Sequence, residues 1–125
     1  MDERSDDEPL GDAETSTGTV ALEHQDNGGV VVRVTGALDL ALAPKLQQFV
    51  DRAARLRPDV LVLDLTGVDF LASVGMAVLV KANREKALPK VRVVAAERVV
   101  LRPLQMTRLT DELAVFPTLA AALAG

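Results

Sequence analysis

The sequence contains no cysteine, tryptophan or tyrosine, and it has only one histidine and three phenylalanines. Without cysteine, the chain has no disulfides, no thiolate nucleophile and no cysteine-ligated metal. The single histidine, His24, does not make a zinc cluster by itself, and we interpret it as a solvent-facing residue of an amphipathic strand. We therefore expect neither a metal nor a cofactor.

Long apolar runs are also missing. The longest, Phe70 to Val80, is interrupted by Ser73 and Gly75 and is far shorter than the roughly 20 residues of a membrane-spanning helix. The N-terminus lacks the basic and apolar regions of a signal peptide, so we expect a cytoplasmic protein without membrane insertion. A cluster of basic residues follows residue 80 and consists of Lys81, Arg84, Lys86 and Lys90. Because no aromatic residues are interleaved with it, nucleic-acid binding by base stacking has no support.

Negative charge is concentrated in residues 1–18, which are rich in Asp and Glu and also contain Pro, Gly and Ser. Such a segment is too polar to bury, and the composition predicts a disordered acidic tail over 1–18 followed by a single domain over 19–125. A solvated tail is the default interpretation. An acidic arm that shields or recruits a partner is the alternative.

The remaining chain alternates strand and helix patterns. Strands are predicted at Val20–Gln25, Val30–Thr35, Val60–Leu65, Val91–Ala95 and Leu113–Phe116, with helices opening near Pro44, Ser73, Leu101 and Thr118. Asn27-Gly28-Gly29 is typical of a hairpin turn. This order predicts an α/β domain with an N-terminal hairpin, a mixed sheet of four to five strands and about four helices. The phenylalanines Phe49, Phe70 and Phe116 are predicted to be core residues.

Ser73 stands at the junction of a buried strand and a helix. After a predicted loop, Thr66 to Ala72, it precedes a run with a mostly apolar stripe formed by Met76, Leu79, Val80, Asn83 and Ala87. This position predicts a helix N-cap, which by itself carries no chemistry. However, the carboxyl end of a parallel strand is also where open α/β sheets place their sites.

Two nearby residues bear on whether Ser73 is only a helix cap or also part of a functional site. Gly75 lies inside the first turn of the helix, where propensity disfavours glycine, so we expect close approach of another backbone or of a partner. Asp39 follows the second strand. It either braces its own turn or points at the same surface as Ser73.

These segments resemble the bacterial STAS domain, specifically the anti-sigma factor antagonists. The segment from Asp64 to Met76, DLTGVDFLASVGM, is similar to that family's phosphorylation site. Upstream, Gly36-Ala-Leu-Asp39 is similar to its turn after the second strand, and Ala43-Pro44 to the start of its first helix. The resemblance runs from about Thr19 to the C-terminus.

The resemblance implies a protein that switches partners and is not an enzyme. In the family, the unphosphorylated domain binds a serine kinase that is also the anti-sigma factor, and this binding frees the sigma factor. Phosphorylation of the serine ends the interaction, and a phosphatase restores it. Carried over, Ser73 is the phosphoacceptor, and the implied partner-binding residues are Asp39, Ala72, Ser73, Val74, Gly75 and Met76.

Three positions depart from the family pattern. Ala72 replaces the Asp that commonly precedes the serine, Val74 stands where a small hydroxyl residue is frequent, and Met76 stands where Leu is usual. Ala72 bears most directly on recognition by the kinase.

Two other functions remain open. One is a STAS subunit of an ABC-type lipid-transport complex, bound constitutively to its ATPase. The other is an enzyme with Ser73 as nucleophile and Asp39 or Asp64 nearby. The enzyme is disfavoured because His24 is distant in sequence and the GxSxG elbow is missing.

Overall fold

Six strands form one mixed sheet whose spatial order is the same as their order in the chain. The computed structural model describes residues 11–26, 28–88 and 90–125. The strands are β1 (Gly11–Glu14), β2 (Gly18–His24), β3 (Val30–Leu38), β4 (Leu61–Leu71), β5 (Val91–Val94) and β6 (Ala114–Phe116). The helices are α1 (Ala43–Arg55), α2 (Ser73–Asn83), α3 (Arg98–Met106) and α4 (Leu119–Ala124), with a short 3-10 turn at Leu109–Asp111.

The first three strands are antiparallel neighbours, and β3 to β6 are parallel. Parallel neighbours need a crossover, which α1, α2 and α3 supply in turn. The α/β class, the N-terminal hairpin and the four helices are thus confirmed. The sheet has six strands and not the predicted four to five, because β1 was not expected.

β1 lies inside the segment predicted to be a disordered tail. Residues 1–10 lie outside the described residues, but Gly11–Glu14 pair with β2, Gly11 opposite Leu22 and Glu14 opposite Thr19. The prediction of disorder over 1–18 is therefore wrong for β1. The strand forms despite its polarity because an edge strand buries little, and the backbone of β2 supplies its hydrogen bonds.

Gly36 holds the turn between β1 and β2 against β3. Its φ of +79° lies in the left-handed region, and a Cβ at this position would collide with the backbone of Thr17. The Ala37 N–H donates to the Thr17 carbonyl at 3.0 Å. A glycine is required here because two backbones meet without room for a side chain.

Most of the core lies between the sheet and the first three helices. Its buried residues include Leu22, Val32, Leu46, Leu63, Leu79 and Leu104. A smaller apolar cluster on the opposite face, built on Val31, Val62, Val94 and Ala122, is covered by α4. Among the described residues, no helix is long and apolar enough to cross a bilayer.

One core prediction is wrong. Phe70 is 52% exposed, whereas Phe49 is buried and Phe116 packs beside α4. Shifts of register between β3 and β4 precede the pairing of Phe70 with Ala37, so simple alternation did not predict which way Phe70 faces. The third helix begins at Arg98, earlier than expected, and this places Val100 and Leu104 inward.

Candidate functional site

Ser73 is the first residue of α2 and is exposed at the carboxyl end of the parallel strands. The strand before it is longer than predicted, since β4 continues to Leu71 and replaces the expected loop over Thr66 to Ala72. It continues because the end of β3 supplies partners as far as the pair Leu38 and Leu71. Ser73 therefore follows the paired end of β4, separated from Leu71 only by Ala72.

The N-cap of α2 is Ala72, so the prediction that Ser73 caps the helix is wrong. Ala72 is extended (φ −84°, ψ 164°), makes no side-chain cap bond, and donates its N–H to the Leu38 carbonyl at 3.0 Å. The Gly75 and Met76 N–H groups donate to the Ala72 carbonyl at 3.0 and 3.1 Å, whereas the methyl side chain of Ala72 accepts nothing from the N–H groups of Ser73 and Val74. The start of α2 therefore presents these two uncapped donors and the positive end of the helix dipole beside the Ser73 side chain.

Asp39 follows Leu38 at the carboxyl end of β3, the same end of the sheet at which Ala72 follows β4. Its Oδ1 accepts hydrogen bonds from the N–H groups of Ala41 (3.1 Å) and Leu42 (3.0 Å), and its Oδ2 accepts one from the Thr17 hydroxyl at 3.4 Å. The carboxylate thus braces the turn into α1. The bracing interpretation is confirmed, and the loop it stabilises is a neighbour of the Ser73 junction.

Gly75 faces the interior of the protein. A Cβ there would stand 2.6 Å from the Leu38 Cγ and 3.1 Å from the Leu38 carbonyl oxygen. The close approach predicted from Gly75 is therefore made by Leu38 of β3 in the same chain. Val74 is half-buried and packs against the core, so of Ser73, Val74 and Gly75 only Ser73 is exposed.

The inward face of α2 is made by Gly75, Val78, Leu79 and Ala82. The predicted stripe contained only Leu79 of these and extended to Ala87, which lies beyond the end of the helix. Because nearly every residue of α2 is small or apolar, its hydrophobic periodicity is weak, and the sequence did not fix its orientation.

The outward face of α2 borders a groove of about 700 Å³. It is lined by Ser73, Met76, Ala77, Val80 and Lys81 from α2, with the C-cap residue Arg84 and with Glu85, Lys86, Thr107 and Leu109 beside them. Of the predicted partner-binding residues, only Ser73 and Met76 line this groove. Spacings of three and four residues counted from Ser73 would have found the other α2 members, but Thr107 and Leu109 come from a distant part of the chain.

The carboxylates considered for an enzymatic role are engaged elsewhere. Asp64 is buried and accepts from Arg33 Nη1 at 3.0 Å and from the Thr66 hydroxyl at 2.8 Å. His24 is at the far end of β2, where it pairs with Val30 at the beginning of β3. No group of metal-binding side chains forms within the part of the chain that the structure describes.

An exposed serine hydroxyl at a helix start, beside an open groove of an α/β domain, is an arrangement that suits a protein-binding module. Comparison with known proteins agrees with this class. The STAS domain profile matches residues 19–122. Over 101 residues the chain is 37% identical to the anti-sigma-F factor antagonist RsfB of Mycobacterium tuberculosis, covering 79% of this chain and 82% of RsfB.

Two solved structures have the same fold. An anti-sigma factor antagonist from Mycobacterium paratuberculosis is 34% identical with a TM-score of 0.80, covering 86% of this chain and 92% of that one. SpoIIAA, an anti-sigma factor antagonist in its unphosphorylated form, has a TM-score of 0.69 at 18% identity, covering 83% of this chain and 92% of SpoIIAA. The chain belongs to the STAS domain family and is an anti-sigma factor antagonist, a regulator and not an enzyme.

Proposed function

We propose that this protein binds a serine-kinase anti-sigma factor in the cytoplasm and thereby releases a sigma factor, and that phosphorylation of Ser73 switches the binding off. A serine phosphatase acting on Ser73 restores it. The observation that carries the proposal is the exposure of Ser73 at the start of α2, on the rim of an apolar groove. The binding function is assigned to the domain over 19–125.

The domain itself tolerates a phosphate at this position. A phosphate adds about −1.5 to −2 charges and three acceptor oxygens. The uncapped N–H groups of α2 and the positive end of its dipole stabilise negative charge there. Since the Ser73 side chain is exposed, no core packing has to move.

A bound partner does not tolerate the phosphate on Ser73. A protein packed over Met76 and Ala77 would have to strip water from the phosphate dianion, which is costly. The first lysine along the groove, Lys81, lies two turns further on, about 12 Å along the helix axis. The modification therefore acts on the interface and leaves the fold intact, as a binding switch requires.

The relatives favour this function over the alternative of a lipid-transport subunit. RsfB is by its name an antagonist of an anti-sigma-F factor. An anti-sigma factor of that type is accordingly the partner we propose for this chain. Purification of a stable complex with an ABC ATPase, and failure to bind any anti-sigma factor, would instead establish the transport role.

The test is intact-mass measurement after incubation with ATP and each candidate kinase from the same genome. We expect one added phosphate on the parent and none on Ser73→Ala, which removes only the hydroxyl from the groove. Binding of the same kinase is measured before and after the reaction. A parent that binds the kinase but stays unmodified would leave a constitutive antagonist and refute the switch.

A further inference from the structure

The face of α2 that borders the groove has a regular pattern. From Ser73 to the C-cap residue Arg84, the residues that line the groove recur at intervals of three and four, over a length of about 16 Å. The floor is apolar, formed by Met76, Ala77 and Val80, and the opposite wall is Thr107 and Leu109. The Thr107 hydroxyl donates to the Met76 sulfur at 3.8 Å, so this wall meets the floor at Met76.

Charge is distributed unevenly along the groove. Lys81 and Lys86 are exposed at the end remote from Ser73, and within the described part of the chain neither joins an ion pair. Arg84 is already engaged, because it donates two bonds to Glu112, which raises the pKa of the guanidinium. Glu85 is the single acid lining this end, so the two lysines leave it positive.

We propose that the groove takes an amphipathic helix of the anti-sigma factor, with apolar side chains over Met76 to Val80 and carboxylates against Lys81 and Lys86. This inference rests on the proposed function and names the chemistry of its partner. A linear array at i, i+3, i+4 and i+7 matches the way one helix packs along another. The charge at one end also fixes the direction of the partner helix.

A small ligand fits the same features less well. Ligand sites enclose most of the ligand's surface, whereas most residues lining this groove are exposed along its whole length.

The first test is calorimetric binding of purified anti-sigma factors from the same genome to the full chain. We expect the double variant Lys81→Glu/Lys86→Glu to lose at least tenfold in affinity, with a weaker dependence on salt. The matched control is Arg55→Glu/Lys90→Glu, which makes the same change of charge where α1 ends and β5 begins, outside the groove. The control should stay within about threefold of the parent.

A second test uses the absence of native cysteine. Ala77→Cys places a single thiol on the groove floor, and a photocrosslinker attached there should label one partner helix that carries acidic residues. Ala114→Cys, exposed on the edge strand β6, is the control and should label none.

The outcomes separate the two proposals. Equal losses in the groove and control variants, or crosslinking to a part of the partner that is not helical, would overturn the groove assignment while the antagonist function stands. A parent that binds no anti-sigma factor would overturn the proposed function and this inference with it. Self-association of the chain that the groove variants abolish would show that the occupant is a second copy.

Discussion

At the scale of single residues, Ser73 joins two properties that are normally separate. It is exposed enough to be modified, and it belongs to the first turn of a helix that anchors the core through Leu79. Since Ser73 makes no cap bond, its replacement removes no interaction of the folded domain.

This leads to a first prediction. Ser73→Asp should weaken binding of the anti-sigma factor at least tenfold while changing the free energy of unfolding by less than about 1 kcal/mol. Calorimetry gives the affinity and urea denaturation gives the stability. Ser73→Ala, expected to bind like the parent, is the control. An Asp variant with undiminished affinity would contradict the charge-based switch.

Gly75 supplies a second prediction. Gly75→Ala should destabilise the domain by about 1–3 kcal/mol, because its Cβ would overlap Leu38, and this outweighs the gain in helix propensity. In the background of Leu38→Ala, the same substitution should cost less, since the Cγ at 2.6 Å is gone. Urea unfolding of the four proteins measures the coupling. If the changes in unfolding free energy of the two single variants simply add in the double variant, the Leu38 side chain is not the cause of the destabilisation by Gly75→Ala.

At the scale of the element, α2 begins at an uncapped position. Ala72 has the extended conformation of an N-cap residue but a side chain that accepts no hydrogen bond. The helix is held mainly by tertiary packing, through the bond from Ala72 to Leu38 and the buried face of Gly75, Val78, Leu79 and Ala82.

A third prediction concerns this cap. Ala72→Asp should raise the free energy of unfolding by about 0.5–2 kcal/mol, because the carboxylate accepts from the first turn and complements the helix dipole. It also restores the acidic residue that is common before the serine in the family. Thermal and urea denaturation measure the gain, with Ala72→Val as a control that cannot accept. A variant no more stable than the parent would mean that packing at the junction prevents the cap.

At the scale of the whole molecule, the sheet separates two unequal apolar layers. The larger lies under α1, α2 and α3, while the smaller is covered by α4, of whose residues only Ala122 is buried. Ser73 stands at the start of α2, which packs on the side of the larger layer. A change in α4 should therefore leave the Ser73 surface unaffected.

The fourth prediction follows from this asymmetry. In native-state hydrogen exchange, the amides of α4 should exchange through openings far smaller than global unfolding, while those of β3 and β4 exchange only with it. Thr118→Ala removes the cap bond to the Ala121 N–H and should speed exchange in α4 several-fold. Unchanged rates in β3 and β4 are the internal control. Protection of α4 equal to that of β4 would contradict the separation into layers.

The sequence by itself determined the order of the strands and helices from β2 onward, the α/β class and the position of Ser73 between a strand and a helix. It did so because buried strands, turn residues and helix starts are local patterns. Only the tertiary structure decided that Gly75 is matched to Leu38, that Ala72 is the cap, and that Phe70 faces outward. It also brought Thr107 and Leu109 to the wall of the groove. These features depend on which segments become neighbours, and an apolar helix such as α2 has no local periodicity that fixes which face turns inward.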